Sequence, residues 1–443
     1  MRIALIAMSG IRCCDAGLMR LGLTLPGFVE RGRTIASLPS LGLLTLVGMT
    51  PPEHELVYFE VRDLPEIEPL PAGFDLVAIS SLSAQIGEAY ELARRFAGCG
   101  VPVVMGGLHV TSVPDEAARH GASACVGEGE VVWPQVLQDA DAGRLRPVYD
   151  ARGRDFDLAD APMPRYELLD LSRYNRLTVQ TSRGCPWRCS FCGASVLLTD
   201  KYKQKPIANV LAEVDRIQSL WQRPFIELAD DNTFVNLSYW IQLLPQLAER
   251  QLRWFAETDV SVHEDDQLLR LMRKAGCAEV LIGLESPRAD DLDQLELKRN
   301  WKHRQWPYYQ HAIETIQSHG IRVNACFMLG LDGQTTDVFE HVRDFVEHTA
   351  PYDVQITVAT PFPKTPFYEQ LKSEGRLLDE SAWHRCTLFD VNYCPNPMSV
   401  AQLRQGLHAL ASDLYSEEST NRRRERFKRQ ATHGRRQHKE TYS

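Results

Sequence analysis

The sequence contains no uninterrupted apolar run close to the roughly 18 residues that a membrane-spanning helix needs. Its apolar start, Met1 to Ala7, is not followed by the cleavage region of a signal peptide, so we interpret it as a first β-strand. The eleven cysteines are odd in number and lack the spacing of a disulfide framework, which indicates a reducing compartment. We therefore expect a cytoplasmic protein without a membrane span.

The sequence also has no excess of positive charge, since its net charge is −9. The composition, 44% hydrophobic and 24% charged, is that of an ordinary globular protein. The one basic stretch is 421–443, where nine Lys or Arg residues stand against two Glu. Only Phe427 and Tyr442 are aromatic there, so stacking on nucleic-acid bases is not indicated. We predict a disordered basic tail and no nucleic-acid partner.

Short β-rich runs alternate with helical stretches from residue 1 to about 150. This alternation is typical of a doubly wound parallel sheet of the Rossmann or flavodoxin type. Ligands of such sheets lie beyond the carboxyl ends of the strands, where this sequence places small residues that let a ligand approach the backbone. These residues are Ser81, Gly106, Gly107 and Gly127.

A second α/β unit is predicted over 176–365, after a connector at 151–175 that is rich in Pro, Asp and Arg. Six strand-like runs recur in this unit with room for helices between them, two fewer than in a closed eight-fold barrel. Residues 366–420 change to helices and irregular loops, which predicts a mainly helical C-terminal cap. The predicted fold class is therefore α/β throughout both large domains.

Three cysteines, Cys185, Cys189 and Cys192, follow one another with the spacing Cys-x3-Cys-x2-Cys. Three thiolates can hold a four-iron cluster in one short loop and leave one iron without a protein ligand. A structural zinc site is the alternative, but it needs four protein ligands and no Cys-x-x-Cys pair follows to complete it. Incidental core cysteines are a further alternative, and we assign this role to Cys277, Cys326, Cys386 and Cys394, whose spacing fits no second cluster.

The cysteine motif resembles that of the radical S-adenosylmethionine (SAM) superfamily, and Phe191 before the third cysteine fits the same pattern. The resemblance implies a six-unit partial TIM barrel and a [4Fe-4S] cluster whose unique iron is chelated by SAM. It also implies that the reduced cluster cleaves SAM to an adenosyl radical, with an electron donor such as flavodoxin or ferredoxin as partner.

The N-terminal region resembles the cobalamin (B12)-binding domain that precedes the barrel in many radical SAM methyltransferases and cyclases. The segments 38–44, 106–111 and 126–130 carry this resemblance, which implies a corrinoid on Ser81, Gly106, Gly107 and Gly127. One departure is that the cobalt-ligating motif Asp-x-His-x-x-Gly is absent from the sequence. The alternative is a flavodoxin-like lobe used for substrate or cofactor docking, and His109 is a weak candidate as cobalt ligand.

Polar residues at the ends of the barrel strands match positions that contact SAM in the family. The resemblance assigns Asp230 to the SAM ammonium group, Glu285 and Ser286 to the ribose hydroxyls, and Gly330 to the adenine-packing segment. The alternatives are a turn signal at Asp230, a structural salt bridge at Glu285 and plain barrel core beside Gly330.

These features predict a radical SAM enzyme that methylates an unactivated carbon or phosphorus of a small molecule or secondary metabolite with the help of cobalamin. The alternative enzyme keeps the cluster and SAM but catalyses cyclisation, rearrangement or 3-amino-3-carboxypropyl transfer. A third hypothesis is a corrinoid- or metal-sensing protein with an inert cluster, which would not cleave SAM.

Overall fold

The computed structural model describes residues 1–21, 38–194, 199 and 201–441, the side chains of 435–441 excepted. The strands are β1 (Arg2–Met8), β2 (Glu55–Val61), β3 (Leu76–Ser80), β4 (Val103–Gly106), β5 (Ser123–Val126), β6 (Val148–Asp150), β7 (Leu177–Val179), β8 (Ser182–Arg183), β9 (Lys203–Gln204), β10 (Phe225–Leu228), β11 (Arg253–Thr258), β12 (Cys277–Glu285), β13 (Arg322–Leu329) and β14 (Asp353–Val358).

The α-helices are α1 (Ala16–Leu21), α2 (Leu41–Met49), α3 (Ile86–Gly98), α4 (Leu108–Ser112), α5 (Pro114–Arg119), α6 (Gly129–Asp141), α7 (Ile207–Leu220), α8 (Leu237–Glu249), α9 (Asp266–Lys274), α10 (Trp301–Gln305), α11 (Tyr309–Ser318), α12 (Val338–Thr349), α13 (Pro366–Ser373), α14 (Val400–Leu414) and α15 (Glu417–Thr441). Among the described residues, none of these helices is long and apolar enough to cross a membrane.

The first sheet has six parallel strands in the order β2-β1-β3-β4-β5-β6. Helices cover both faces, so the central strand β1 is an almost continuous buried apolar run and two separate cores form, one on each face. The strand order reverses beside β1 and β3, and the carboxyl ends there form the edge at which ligands of doubly wound sheets bind.

The second sheet has the order β14-β13-β12-β11-β10-β7, again with parallel neighbours. Each strand pairs with the next one along the chain, and the intervening helices pack outside, which makes a partial barrel of six β-α units. The predicted fold class, a doubly wound domain followed by a six-unit partial barrel, is confirmed.

The C-terminal region corrects one prediction, because residues 421–441 are not a disordered tail but the greater part of helix α15. Phe427 packs edge-on against Tyr352 with ring centroids 5.1 Å apart, and Ala431, four residues later, is buried. Arg424 reaches Asp353 at 3.6 Å. The composition of 421–443 suggested disorder because basic residues dominate it. Phe427 and Ala431, four positions apart, lie on one helical face, and this face packs the helix on the barrel.

Candidate active site

The three cysteines of the motif lie in a loop that a distant segment holds in place. Cys189 forms a β-bridge with Glu296, and the Glu296 carboxylate accepts the backbone N–H groups of Arg188, at 3.1 Å, and Arg299, at 2.7 Å. The ring of Trp187 stacks on Trp301 with centroids 4.5 Å apart. The loop therefore has a backing, residues 295–302, that fixes its shape before any cofactor binds.

The three thiol groups face one another closely enough that each charged sulfur disfavours the next. Burial raises the pKa of Cys185 to about 11, and the neighbouring Cys192 adds to the shift. Burial also raises the pKa of Cys189, whereas the charge of Lys302 opposes this. The amide of Asn232 lies 3.8 Å from the Cys185 sulfur, in reach of an N–H···S contact.

This donor set fits a cluster better than a single ion. Among the residues that the structure describes, no three His, Cys, Asp or Glu side chains converge as the ligands of one metal ion do. Three thiolates on one short loop suit an iron–sulfur cube with one iron left without a protein ligand, and the zinc alternative needs a set of four. The cysteines Cys185, Cys189 and Cys192 are thus the groups that would hold a [4Fe-4S] cluster.

Asp230 does not have the free carboxylate that a SAM ammonium group needs. Its oxygens accept the backbone N–H groups of Thr181, at 2.7 Å, and Ser182, at 2.8 Å, and also the Thr181 hydroxyl. Burial raises the pKa of Asp230 to about 6. We correct the sequence prediction accordingly: Asp230 supports the segment that leads into the cysteine loop.

The end of the neighbouring strand β11 carries Asp259, which contacts the cysteine loop and which sequence analysis missed. Its carboxylate accepts Nε1–H of Trp187 at 2.9 Å and the amide of Asn232 at 2.8 Å. The available signal was its position directly after β11, at the carboxyl end of a barrel strand, where functional residues of such barrels lie.

Glu285 forms a buried ion pair with Lys302, with Nζ and Oε1 2.8 Å apart. Glu285 adopts a left-handed backbone conformation with φ of +65°, which is costly for a residue with a side chain and is often found at functional sites. Ser286 donates its hydroxyl to Asp291 at 2.6 Å and is fully buried. No residue that the structure describes donates a hydrogen bond to the second oxygen of Glu285, whereas the Ser286 hydroxyl already has its acceptor.

Two other predicted residues lie near the cofactor edge of the barrel. The carbonyl of Gly330 accepts the Tyr393 hydroxyl at 2.7 Å, and its φ of +85° is one that glycine adopts without strain. Phe191 is partly buried against the main core of the barrel. Both residues support the site through the backbone or by packing.

The glycine edge of the N-terminal domain borders a cavity of about 300 Å³. Gly106, Gly107 and Gly127 line it, and it continues between α2 and α6 to Trp133. Ser81 does not line this cavity. Its carbonyl lies under Gly107, where an added Cβ would come within 2.9 Å of it.

The cavity opens towards the barrel, where Arg183 forms part of its wall two residues before Cys185. Arg183 binds Glu128 at 2.6 Å and Glu130 at 2.7 Å, and Lys203 binds Glu128 at 2.6 Å. These ion pairs, which we call the latch, join the two domains beside the cavity. His109 takes no part in the cavity, since it is fully buried and its ring nitrogens contact Ser83 and Glu116.

A second, mainly apolar cavity of about 320 Å³ lies beside the cysteine loop at Gly193 and Ala194. Leu82 and Leu108 line it from the N-terminal domain, and Phe362 lines it from the end of the barrel. All three large parts of the chain therefore contribute to this space, because Cys386 to Leu388 of the cap close its remaining side.

The radical SAM superfamily matches residues 179–346, which contain the cysteine loop and the barrel strands. Residues 179–346 are therefore a radical SAM domain. This match implies a [4Fe-4S] cluster and SAM as cofactors of the barrel. Residues 365–442, the cap and helix α15, match a domain of unknown function, DUF4070.

Named methyltransferases occur among the similar radical SAM proteins. An uncharacterized methyltransferase of Synechocystis sp. is 32% identical over 353 residues, or 78% of this chain, which spans 65% of that protein's length. The bacteriochlorophyllide d C-12(1)-methyltransferase of Chlorobaculum tepidum is 26% identical, with 81% of this chain and 79% of that protein covered.

A solved structure, the radical SAM methyltransferase TsrM from Kitasatospora setae with cobalamin and a [4Fe-4S] cluster bound, has the same fold. The TM-score is 0.67 at 14% identity, and the match covers 98% of this chain and 99% of that one. At this identity the likeness concerns the arrangement of the two domains and the cap.

Proposed function

We propose that this protein is a cobalamin-dependent radical SAM methyltransferase that acts on an unactivated carbon or phosphorus of a small-molecule substrate. The observation that carries the proposal is the position of the glycine-edged cavity, whose wall includes Arg183 of the segment that leads into the cysteine loop. A group bound there lies between the sheet edge and the loop. The names of the curated relatives support methyl transfer as the outcome.

The residues of the cavity fit a corrinoid in two respects. Gly106 has no side chain on the face that carries Val104, so a flat ring can lie against the backbone at the sheet edge. The space between α2 and α6 is lined by apolar side chains such as Leu43 and Leu46 and ends at Trp133. An apolar space of this shape suits an extended aromatic group attached to the corrinoid ring. When bound, the cluster supplies an electron to SAM and cobalamin carries the methyl group.

The chain's own residues provide position and exclusion of water. The backing segment fixes the three cysteines, the second oxygen of Glu285 is placed to accept a hydroxyl of the SAM ribose, and the latch holds the two cofactor sites together. The apolar cavity beside Gly193 fits the apolar part of a substrate. An electron donor such as flavodoxin or ferredoxin completes the system.

Glu257 is a further candidate for substrate contact inside the barrel. It stands in the middle of β11 on the face opposite the buried Trp254 and Ala256, and therefore faces the interior of the barrel. Its side chain remains accessible there and makes no hydrogen bond or ion pair with any residue that the structure describes. Water reaches Glu257, but the surrounding barrel walls reduce its hydration, and this desolvation together with the charge of Glu227 raises the pKa of Glu257 to about 7. Such a pKa suits exchange of a proton near neutral pH.

The test uses anaerobically reconstituted protein with hydroxocobalamin, SAM and a reductant. We expect one corrinoid per chain by absorbance after gel filtration, and S-adenosylhomocysteine together with 5′-deoxyadenosine on turnover. In Gly106→Trp the indole would fill the edge, so corrinoid uptake is lost while SAM cleavage to 5′-deoxyadenosine persists. Gly98→Trp is the matched control, because Gly98 is exposed at the end of α3 with no atom near an added Cβ.

Two results would contradict the proposal. Turnover without any bound corrinoid and without S-adenosylhomocysteine would favour a non-methylating radical SAM enzyme. Equal corrinoid binding by Gly106→Trp and Gly98→Trp would show that the cavity is not the corrinoid site.

A further inference from the structure

The ion pair between Lys302 and Glu285 is built into the inner face of β12. An added Cβ at Gly283 would come within 2.5 Å of the Glu285 carboxylate and 3.2 Å of Lys302 Nζ, so the glycine makes the space that the pair occupies. The side chains of Lys302 and Glu285 are only 10% and 7% exposed. Enclosed charges of this kind carry a large desolvation cost, which a purely structural pair seldom repays.

The pair does not use all the capacity of the ammonium group. Lysine has three N–H donors, and here one binds the Gly283 carbonyl and another binds Glu285. No other residue that the structure describes accepts from Lys302. The third donor is free for a group that enters the site.

Lys302 belongs to the backing that packs on the cysteine loop. Trp301, the residue before it, stacks on Trp187 of the loop with ring centroids 4.5 Å apart, and the charge of Lys302 opposes the rise in the pKa of Cys189. The backing segment produces this proximity, because Cys189 pairs with Glu296 and Lys302 follows in the first turn of α10. Lys302 therefore places a buried positive charge beside the cysteine loop.

We propose that Lys302 sets the reduction potential of the cluster. The cluster becomes more negative by one charge when it takes up an electron, and a nearby buried cation stabilises the reduced form more than the oxidised form. Lys302 thus raises the potential and makes the cluster reducible by a cellular donor, while Glu285 moderates the effect and keeps the lysine charged. This inference rests on the proposed function only in placing the cluster on Cys185, Cys189 and Cys192.

The experiment is a redox titration of the reconstituted full-length protein, followed by the electron paramagnetic resonance signal of the reduced cluster, without SAM or cobalamin. At the midpoint potential of the wild type, we expect Lys302→Met to lower the ratio of reduced to oxidised cluster at least tenfold. A tenfold change corresponds to a midpoint 59 mV lower for one electron. Lys302→Arg, which keeps the charge, should titrate close to the wild type, and Glu285→Gln should move the midpoint upwards.

Lys302→Met leaves Glu285 buried without its partner, so a double variant keeps the test decisive. Lys302→Met/Glu285→Gln removes both charges, and we expect the two single-variant shifts, downward for Lys302→Met and upward for Glu285→Gln, to add in its midpoint. Lys205→Met is the matched control: Lys205 forms an equally buried pair with Glu213 on α7, at 2.6 Å.

The proposal is overturned if Lys302→Met leaves the midpoint unchanged both in the wild type and in the Glu285→Gln background, or if Lys205→Met shifts the midpoint equally. Failure of the proposed function looks different. If the wild-type protein assembles a cluster but binds no corrinoid, the methyltransferase proposal fails while the effect of Lys302 is still decided by the titration. If the wild-type protein assembles no cluster, both proposals fail.

Discussion

The latch between the domains gives the sharpest prediction about stability, and Arg183→Met is the change that tests it. The Arg183 side chain is 12% exposed, and its partners Glu128 and Glu130 are 5% and 8% exposed, so all three charges are largely withdrawn from water. After the substitution Glu128 still has Lys203 at 2.6 Å, but Glu130 loses its partner. One buried carboxylate is thereby left without a cation.

Breaking a buried pair by removal of one partner costs about 3–5 kcal/mol. Because only one of the two carboxylates is stranded, we expect Arg183→Met to lower the free energy of unfolding by about 3 kcal/mol. Arg183→Met/Glu130→Gln removes the stranded charge, and we expect it to recover about half of that loss. The coupling between Arg183 and Glu130 follows from a double-mutant cycle, in which the effects of distant sites would simply add.

The assay is urea unfolding of the apoprotein, with limited proteolysis of the 151–175 connector as a second readout of domain separation. Lys201→Met is the control, since Lys201 pairs with Asp155 nearby but is 63% exposed, and exposed pairs contribute only about 0–1 kcal/mol. Loss of less than 0.5 kcal/mol in Arg183→Met, roughly the scatter expected of unrelated surface changes, would refute the reasoning.

Four further predictions follow from the site and the tail. Replacement of any one of the three motif cysteines by Ala should remove the cluster absorption and SAM cleavage together, and SAM cleavage by the triple variant would show that the motif is not the cluster site. Asp230→Ala should reduce cluster retention and stability by about 2 kcal/mol, because buried N–H groups lose their acceptor, with SAM affinity per intact cluster unchanged in calorimetry. The unfolding free energy should fall as pH rises from about 4.5 to about 7, because native Glu257 keeps a proton that the unfolded chain releases. Glu257→Gln should flatten this slope, and an identical slope in the variant would contradict a raised pKa at Glu257. A chain that ends at Tyr415 should be less stable by about 3 kcal/mol in urea, from the loss of the face formed by half-buried Phe427 and buried Ala431. Unchanged stability would mean that α15 is not part of the folded unit.

The alternation of short apolar runs and helical stretches was enough to predict both sheets. A strand such as β1 is buried on both faces and is therefore apolar throughout, and the spacing of such runs leaves room for one helix each. The cysteine motif could also be recognised from the sequence because its three cysteines lie within eight residues of one another. Both signals are local, so a single sequence contains them completely.

Helix α15 was missed for the opposite reason. Its composition is that of a solvated segment, and isolated helices gain little stability from propensity alone. The helix is held by tertiary contacts, including Phe427 on Tyr352 and Arg424 at Asp353, whose partners lie about 70 residues earlier in the chain. No periodicity within 421–443 points to them.

The roles of the strand-end carboxylates show the same limit within the site. Asp230 and Asp259 both follow a barrel strand, yet the first is enclosed by the backbone of Thr181 and Ser182 while the second faces Trp187 of the cysteine loop. Position at a carboxyl edge is common to both and does not decide between them. The role of each carboxylate depends on which neighbouring backbone N–H groups lack another acceptor. These groups are known only once β7, the first strand of the barrel, is in register with β10.

Lys302 is the clearest case of a residue whose importance depends on a partner remote in sequence. In the sequence it is one of several basic residues between Lys298 and Arg304, and such a cluster is usually a solvated face. In the fold Glu296 pairs with Cys189, and this turns the following helix so that Lys302 points into the barrel while its basic neighbours stay outside. The pairing of the cysteine loop with its backing therefore determines that Lys302 is the basic residue on the cluster side. A substitution at Glu296 that releases the loop should shift the cluster potential in the same direction as the loss of Lys302 itself.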